Sequence, residues 1–207
     1  MIIQHHITRT LTELYNDSKY DHLKIIKGFA KSIIRPIQPS DFKDAYLSIS
    51  KEQGEDLIEL ITKNNIKNVV EYGTSFGIST LFLAQGIIET KGHIITTELV
   101  KSKAQKAISN FEKAGVNELI EVKVGDAMET LKNHNKRIDL LLLDGWKNLY
   151  LPLFNMLEHN FNENTVVYVD NADMGETKSF LKAISENNKY QLQHKFGGKV
   201  VLITVKK

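Results

Sequence analysis

The chain has 207 residues, 42% of them hydrophobic, which is enough for the buried core of one compact domain. Its 27 Lys and Arg residues against 25 Asp and Glu give a net charge of +2, too balanced to indicate nucleic-acid or membrane-surface binding. The lack of cysteine excludes disulfides and thiolate zinc sites. Neither an eighteen-residue apolar run nor a signal-peptide pattern occurs, so we expect no membrane partner and take the cytoplasm as the default location.

The first 35 residues show two apolar stripes at helical spacing. The stripe of the first helix consists of Ile7, Leu11, Leu14 and Tyr15, and that of the second of Leu23, Ile26, Phe29, Ile33 and Ile34. Asn16-Asp17-Ser18 indicates a break and a new cap between them. Pro36 and Pro39 predict the end of the second helix and a loop to about residue 46. We therefore expect an N-terminal helical cap over 1–46, followed by the main domain over 47–207.

From residue 50 onward, short apolar runs alternate with helical patterns. The predicted strands span 68–72, 92–98, 119–124, 138–143 and 165–169, and the predicted helices span 50–63, 77–89, 101–114, 126–134, 148–159 and 175–187. Runs 190–196 and 199–205 around Gly197-Gly198 predict a β-hairpin. Strands joined by helices form a parallel sheet with right-handed crossovers. The prediction is an α/β fold with a mostly parallel seven-stranded sheet and a C-terminal antiparallel hairpin.

The turn after the first strand has the pattern Glu71-x-Gly73-x-x-x-Gly77. It matches neither the dinucleotide fingerprint G-x-G-x-x-G nor the P-loop. Glycine tolerates positive φ and lets a ligand lie against the backbone, while the helix that follows directs free N–H groups at the turn. An acid at the strand tip would repel a pyrophosphate but suits an ammonium group and ribose hydroxyls. The pattern resembles the first motif of Rossmann-like class I methyltransferases, which use S-adenosylmethionine (SAM), and it places Ser75 in the same cofactor turn.

Every strand of the predicted parallel set ends in a carboxylate, and in an open α/β sheet ligands bind at that edge. These residues are Glu71, Glu98, Asp126, Asp144 and the pair Asp170-Asn171. Asp126 and Asp170 could each be helix N-caps instead. Carboxylates packed closely repel one another, so we expect a cation among them.

The strand-end residues divide into two groups. Glu98 is placed to accept hydrogen bonds from ribose hydroxyls, and Asp126 with Ala127 lies where an adenine would fall. Asp144, Asp170 and Asn171 offer hard oxygen ligands from two neighbouring strand ends, the set that suits Mg²⁺ or Ca²⁺. An isolated Asp-Asn dipeptide would more often be a turn, so the prediction of a metal site depends on Asp144 at the neighbouring strand end.

The segment 143–152, Leu-Asp-Gly-Trp-Lys-Asn-Leu-Tyr-Leu-Pro, with Val-Asp-Asn at 169–171, closely resembles catechol O-methyltransferase and its bacterial relatives. The likeness extends to 49–54, 70–73, Ser79 and 97–98, and it covers about 47–207. It implies that Asp144, Asp170 and Asn171 bind Mg²⁺ and that Lys147 is the catalytic base. It further implies that SAM is contacted by Glu71, Ser79, Glu98 and, packing beside it, Trp146.

The resemblance implies Mg²⁺-dependent transfer of a methyl group from SAM to a hydroxyl of a small aromatic, catechol-like acceptor, with a homodimer through the N-terminal helices as the expected assembly. Two features depart from the catechol enzymes. Their late glutamate, which hydrogen-bonds the second hydroxyl, has no counterpart because 191–207 contains no acid. Gly145 stands where they carry a bulkier residue, which suggests a wider mouth.

Three other functions stay open at this point. A nicotinamide-dependent oxidoreductase could use the same architecture, although G-x-G-x-x-G is missing. A nucleic-acid methyltransferase is disfavoured by the balanced charge and by Asp-Gly-Trp-Lys at 144–147, where an Asn/Asp-Pro-Pro-aromatic motif would hold a flipped base. A catalytically silent SAM-binding protein is the third alternative, against which the retained aspartates and lysine argue weakly.

Overall fold

The structure, a computed structural model, describes residues 2–30 and 35–206. Its strands are β1 (Asn68–Tyr72), β2 (His93–Glu98), β3 (Ile120–Val124), β4 (Leu140–Leu143), β5 (Val166–Val169), β6 (Tyr190–Lys195) and β7 (Val200–Val205). Its α-helices are α1 (Ile2–Ser18), α2 (Asp21–Ala30), α3 (Lys51–Lys63), α4 (Ile78–Thr90), α5 (Lys101–Ala114), α6 (Ala127–Thr130), α7 (Tyr150–Leu157) and α8 (Gly175–Ser185). None of the helices in this part of the chain combines the length and apolar character that crossing a bilayer requires.

The strands form one seven-stranded sheet in the order β3-β2-β1-β4-β5-β7-β6. The first five are parallel, whereas β7 pairs antiparallel with both β5 and β6. The order reverses between β1 and β4, which is the topological switch point where ligands bind in such sheets. The predicted fold, including the C-terminal hairpin, is confirmed.

Helices cover both faces of the sheet, because its central strands are apolar on both sides. All four residues of β4, Leu140–Leu143, are fully buried. The core on one face includes side chains of α1, α3, α4 and α5, while that on the other includes side chains of α7 and α8. Ile7, Leu11 and Leu14 of α1 are buried as predicted.

Several predictions about the helices differ from the structure. The break predicted at 16–18 lies at residues 19–20, because α1 continues to Ser18. The helix predicted over 126–134 is the single turn Ala127–Thr130, which begins after the N-cap Asp126 and ends at Leu131, a residue buried in the core. The helix predicted over 148–159 consists of α7 between two 3₁₀ turns, Lys147–Leu149 and Glu158–Asn160. The apolar stripe of α2 is not buried, since Leu23, Ile26 and Phe29 are 52%, 62% and 53% exposed. Ile33 and Ile34 of that stripe lie outside the described residues.

Candidate active site

The carboxyl ends of the five parallel strands form one row along the edge of the sheet. The register pairs Tyr72 with Thr97 on one side and with Leu143 on the other. The amide of Asp144 then donates to the Tyr72 carbonyl at 2.9 Å, and that of Asp170 to the Leu143 carbonyl at 3.0 Å. The five predicted strand-end acids therefore follow adjacent strands, in the spatial order Asp126, Glu98, Glu71, Asp144, Asp170.

The turn between β1 and α4 requires glycine at two places. Gly73 has φ +108°, and a Cβ there would lie 2.5 Å from the carbonyl oxygen of Asp144. Gly77 has φ +90°, and its Cβ would lie 2.4 Å from the Phe111 ring. The cofactor turn and the loop that carries Asp144 are thus in direct backbone contact. The first turn of α4, residues 78–80, has no side-chain cap, so its N–H groups lack an intrahelical partner.

Glu71 lies behind this turn. It is fully buried, and its carboxylate accepts hydrogen bonds from the hydroxyls of Ser79 at 2.5 Å, Thr80 at 2.5 Å and Thr96 at 2.6 Å. Burial raises the pKa of Glu71, and the three hydroxyls oppose that shift. The structure therefore shows Glu71 fixing the first turn of α4 against β2, with its charge already fully hydrogen-bonded.

Glu98 reaches the cofactor turn from β2. Its carboxylate accepts the amides of Ser75 and Val100, both at 2.8 Å. Beside it lies Lys103, which is 5% exposed and donates to the Ser75 hydroxyl at 3.2 Å. Burial lowers the pKa of Lys103, against the opposing charge of Glu98. The sequence does not predict Lys103 at this position, because helical spacing gives no sign that a lysine is buried.

Asp126 is exposed and accepts the amide of Met128 at 2.8 Å, so it is a helix N-cap, the alternative that its sequence position left open. Ala127 beside it is buried. Gly125 donates to the Glu98 carbonyl at 2.9 Å, which brings this loop to the side of Glu98. An N-cap uses one carboxylate oxygen and leaves the other accessible.

Asp144 and Asp170 follow neighbouring strands, and their carboxylates interact with one another. Burial and the charge of Asp170 raise the pKa of Asp144 well above its usual range, and Lys147 acts in the opposite direction. Asn171, which has a left-handed backbone with φ +54°, comes next in the chain. In the described part of the chain, no three acid or histidine side chains gather as a metal-binding group, so the acidic part of the candidate centre consists of these two carboxylates.

Gln53 connects the start of α3 to this pair. Ser50-x-x-Gln53 has the sequence pattern of a capping box, and both hydrogen bonds of that box are present at the start of α3. Its side chain also donates to Asp170 Oδ1 at 2.6 Å and accepts from the Lys199 ammonium at 3.2 Å. Gln53 is 1% exposed, so it belongs to the buried support of Asp170.

The loop after β4 carries Gly145, Trp146 and Lys147. Lys147 donates to the Gly145 carbonyl at 2.8 Å, and its ammonium lies 5.6 Å from the centre of the Tyr150 ring. The space beside Gly145 is not the opening that the sequence suggested. A Cβ there would lie 2.4 Å from the ring of Tyr72, whose hydroxyl accepts from the Trp146 amide at 3.2 Å.

The N-terminal segment reaches the site at two points. The Ser75 hydroxyl donates to the Tyr46 carbonyl at 2.7 Å, and the Tyr46 amide donates to Asp21 of α2 at 2.6 Å. The ring of Phe42 lies 6.4 Å from that of Trp146, which is 36% exposed. The segment therefore borders both the cofactor turn and the loop after β4.

Comparison with known proteins places this site in context. A profile described as O-methyltransferase matches residues 31–193. The catechol O-methyltransferase of Mycobacterium tuberculosis is 31% identical over 130 residues, which is 62% of this chain and 59% of that protein. The chain thus spans about three fifths of that curated relative's length.

Solved structures show the same fold. An O-methyltransferase from Bacillus cereus in complex with SAH superposes with a TM-score of 0.70 at 20% identity, covering 88% of this chain and 97% of that one. TomG from Streptomyces achromogenes, an O-methyltransferase involved in tomaymycin synthesis and solved with SAM, gives a TM-score of 0.68 at 20% identity, covering 91% and 99%. Like these methyltransferases, the chain has a Rossmann-like fold. Since the family profile covers most of its length, the chain belongs to the O-methyltransferase family.

Proposed function

We propose that the protein transfers a methyl group from SAM to a hydroxyl of a small aromatic acceptor with two adjacent oxygens, and that it uses Mg²⁺ to do so. The observation that carries this proposal is the mutual contact of Asp144 and Asp170. The backbone of Asp144 also contacts Gly73 of the glycine turn, and Lys147 follows Asp144 by three residues. A cofactor turn, a paired carboxylate site and a basic side chain thus lie at one sheet edge.

The SAM half of the proposal depends on the turn. The free N–H groups at the start of α4 and the ammonium of Lys103 suit the carboxylate of a methionyl group. Glu98 suits the ribose hydroxyls, which would take over hydrogen bonds that its carboxylate now accepts from backbone amides. Asp126 and Ala127 border the place left for the base.

The metal half depends on whether the residues present fit the ion. Asp144, Asp170 and Asn171 supply only oxygen ligands, as Mg²⁺ prefers. Burial and the charge of Asp170 both raise the pKa of Asp144, and a bound cation would stabilise the two ionised carboxylates. A bound Mg²⁺ would supply positive charge that makes an acceptor hydroxyl more acidic.

Lys147 is the residue we assign to the acceptor proton. Its ammonium nitrogen is held by the Gly145 carbonyl within the loop that also carries Asp144, so it lies beside the carboxylate pair. Methyl transfer forms a bond between the acceptor oxygen and the methyl carbon while the bond from that carbon to sulfur breaks, which yields SAH. The hydroxyl proton leaves through Nζ of Lys147 to solvent.

The test combines a variant with metal removal. Lys147→Ala should keep SAH affinity within about threefold and lower turnover of a catechol-type acceptor about 10²- to 10⁴-fold, the usual contribution of a general base. Lys106→Ala, an exposed change on α5, is the matched control and should leave both unchanged. Chelation by EDTA should abolish turnover, and added Mg²⁺ should restore it.

Two results would count against the proposal. Full activity in EDTA would remove the metal half, and full activity of Lys147→Ala would remove the assigned base. The nicotinamide alternative, which family membership disfavours, predicts binding of NAD in place of SAM, and calorimetry with both ligands distinguishes them.

A further inference from the structure

The connection between the last two strands brings a second lysine to the carboxylate pair. Residues 196–198 form a turn in which all three φ angles are positive, and Lys199 follows it directly before β7. The carbonyl of Lys199 accepts the amide of Ala172 at 2.8 Å, which holds this turn against the chain just after Asp170 and Asn171. Lys199 therefore lies beside the end of β5 because of a backbone contact, independently of its side chain.

The Lys199 ammonium points toward the same place. It donates to Gln53 Oε1 at 3.2 Å, and Gln53 Nε2 donates to Asp170 Oδ1 at 2.6 Å. One amide group thus separates the ammonium from a proposed metal ligand. Lys147 lies on the other side of the pair, where its charge acts on Asp144.

Lys199 has hydrogen-bonding capacity left over. An ammonium can donate three hydrogen bonds, and within residues 2–30 and 35–206 the Gln53 amide is its hydrogen-bond partner while no carboxylate lies within 4 Å. Lys195, four residues earlier, is different because it forms an ion pair with Asp56. Lys199 is half-buried, so a second partner would meet a charge that solvent screens only in part.

We propose that Lys199 binds an anionic group of the acceptor, and that the preferred acceptor is a hydroxylated aromatic carboxylate. This inference rests on the proposed function, since it places the acceptor oxygens at Asp144 and Asp170. No acid stands in 191–207 to accept a hydrogen bond from a neutral second hydroxyl, whereas an ammonium there favours a carboxylate. Lys199 is thus a specificity-determining residue.

The experiment compares two acceptors with the same pair of hydroxyls, catechol and 2,3-dihydroxybenzoate. The wild-type protein should favour the benzoate in kcat/KM by about ten- to a hundredfold, the size of a charge-assisted hydrogen bond. Lys199→Gln keeps a donor toward Gln53 without the charge and should lose that preference, because kcat/KM for the benzoate falls about ten- to a hundredfold further than kcat/KM for catechol. Lys199→Arg keeps the charge and should keep the preference.

Lys195→Met is the matched control, because it removes the same charge from the same segment where Asp56 already pairs with it. It should leave the ratio of the two acceptors unchanged. Calorimetric titration of each acceptor into the protein saturated with SAH and Mg²⁺ provides a readout that needs no turnover. Binding should show the same preference for the benzoate and the same loss in Lys199→Gln.

Several results would overturn the inference. Equal losses for both acceptors in Lys199→Gln would show that Lys199 only positions Gln53 and Asp170. A wild-type preference for catechol, in turnover or in binding, would show that the ammonium selects no anion. If neither acceptor is methylated, the proposed function fails, yet the titration still decides the role of Lys199 through the difference between wild type and Lys199→Gln.

Discussion

Replacing Gly73 by alanine tests whether the cofactor turn and the loop of Asp144 depend on their close approach. The new Cβ would lie 2.5 Å from the Asp144 carbonyl oxygen and 2.9 Å from the Gly145 nitrogen. Both are backbone atoms, so no flexible side chain can move aside. Gly115→Ala is the matched control, because Gly115 also has positive φ, +72°, but has nothing within 4 Å of its added Cβ.

The two variants separate two energies. An L-residue in the left-handed region costs about 1–2 kcal/mol, and Gly115→Ala should measure that cost alone. In Gly73→Ala the new Cβ also overlaps backbone atoms. Overpacked protein cores lose about 1–3 kcal/mol of stability, and we expect a loss of that size in addition to the cost of positive φ. At about 2–4 °C per kcal/mol for a chain of this length, the melting temperature of Gly73→Ala should lie about 2–12 °C below that of Gly115→Ala.

Thermal unfolding measures this difference, and calorimetry with SAH measures its functional consequence. Gly73→Ala should weaken SAH binding and lower turnover, because the turn can relieve the overlap only by moving away from Asp144. Gly115→Ala, at the end of α5, should leave both unchanged. Equal melting temperatures together with an unchanged SAH affinity of Gly73→Ala would refute the reasoning.

Two further predictions concern buried polar groups. Because burial raises the pKa of Glu71 above its unfolded value of 4.5, its stabilising contribution is complete below pH 4.5 and is lost as the pH rises through the folded pKa. Between these two pH values the free energy of unfolding of Glu71→Gln should therefore rise relative to that of wild type by up to about 1.4 kcal/mol per pH unit. A melting temperature of Glu71→Gln that falls relative to wild type as the pH rises would contradict this. Gln53→Leu removes the amide from Asp170 and should weaken Mg²⁺ binding to the SAH-saturated protein about 10- to 100-fold by calorimetry, while unchanged affinity would separate Gln53 from the metal site.

The alternation of strands and helices could be predicted from sequence because each buried strand is a short apolar run between turn signals. The Leu140–Leu143 run and the Gly73–Gly77 turn are such signals, and both lie where the pattern puts them. Helix length was harder to predict. A capping aspartate predicts where a helix begins, but Asp126 gives no information on how long the helix continues, and α6 ends after one turn.

Periodicity also failed to predict what α2 packs against. The spacing of Leu23, Ile26 and Phe29 correctly predicts a helix with an apolar stripe, yet more than half of each side chain is exposed. An apolar stripe shows that a helix has two different faces, and it does not identify the surface that covers one of them. A homodimer through the N-terminal helices stays a prediction, as does the division of the chain at residue 46.

The site was predictable where strand register brings residues together, since the carboxyl ends of parallel strands share one edge. Contacts between distant segments were not. Gln53 precedes Asp170 by 117 residues and Lys199 by 146, and no local pattern links them. The capping box already accounts for a glutamine at position 53, so the sequence gives no sign that Gln53 also hydrogen-bonds Asp170.

The five strand-end acids differ in the hydrogen-bond donors that surround them. The Glu71 carboxylate accepts hydrogen bonds from hydroxyls, and the Glu98 carboxylate accepts them from backbone amides. The Asp126 carboxylate accepts one backbone amide as a helix N-cap. Hydrogen bonds of this kind stabilise a carboxylate without a counter-ion. Asp144 instead lies against Asp170, and burial together with the charge of Asp170 raises the pKa of Asp144 well above its usual range. The sequence predicts a cation among all of the strand-end carboxylates, whereas the structure favours only the pair Asp144 and Asp170, where we propose that Mg²⁺ binds.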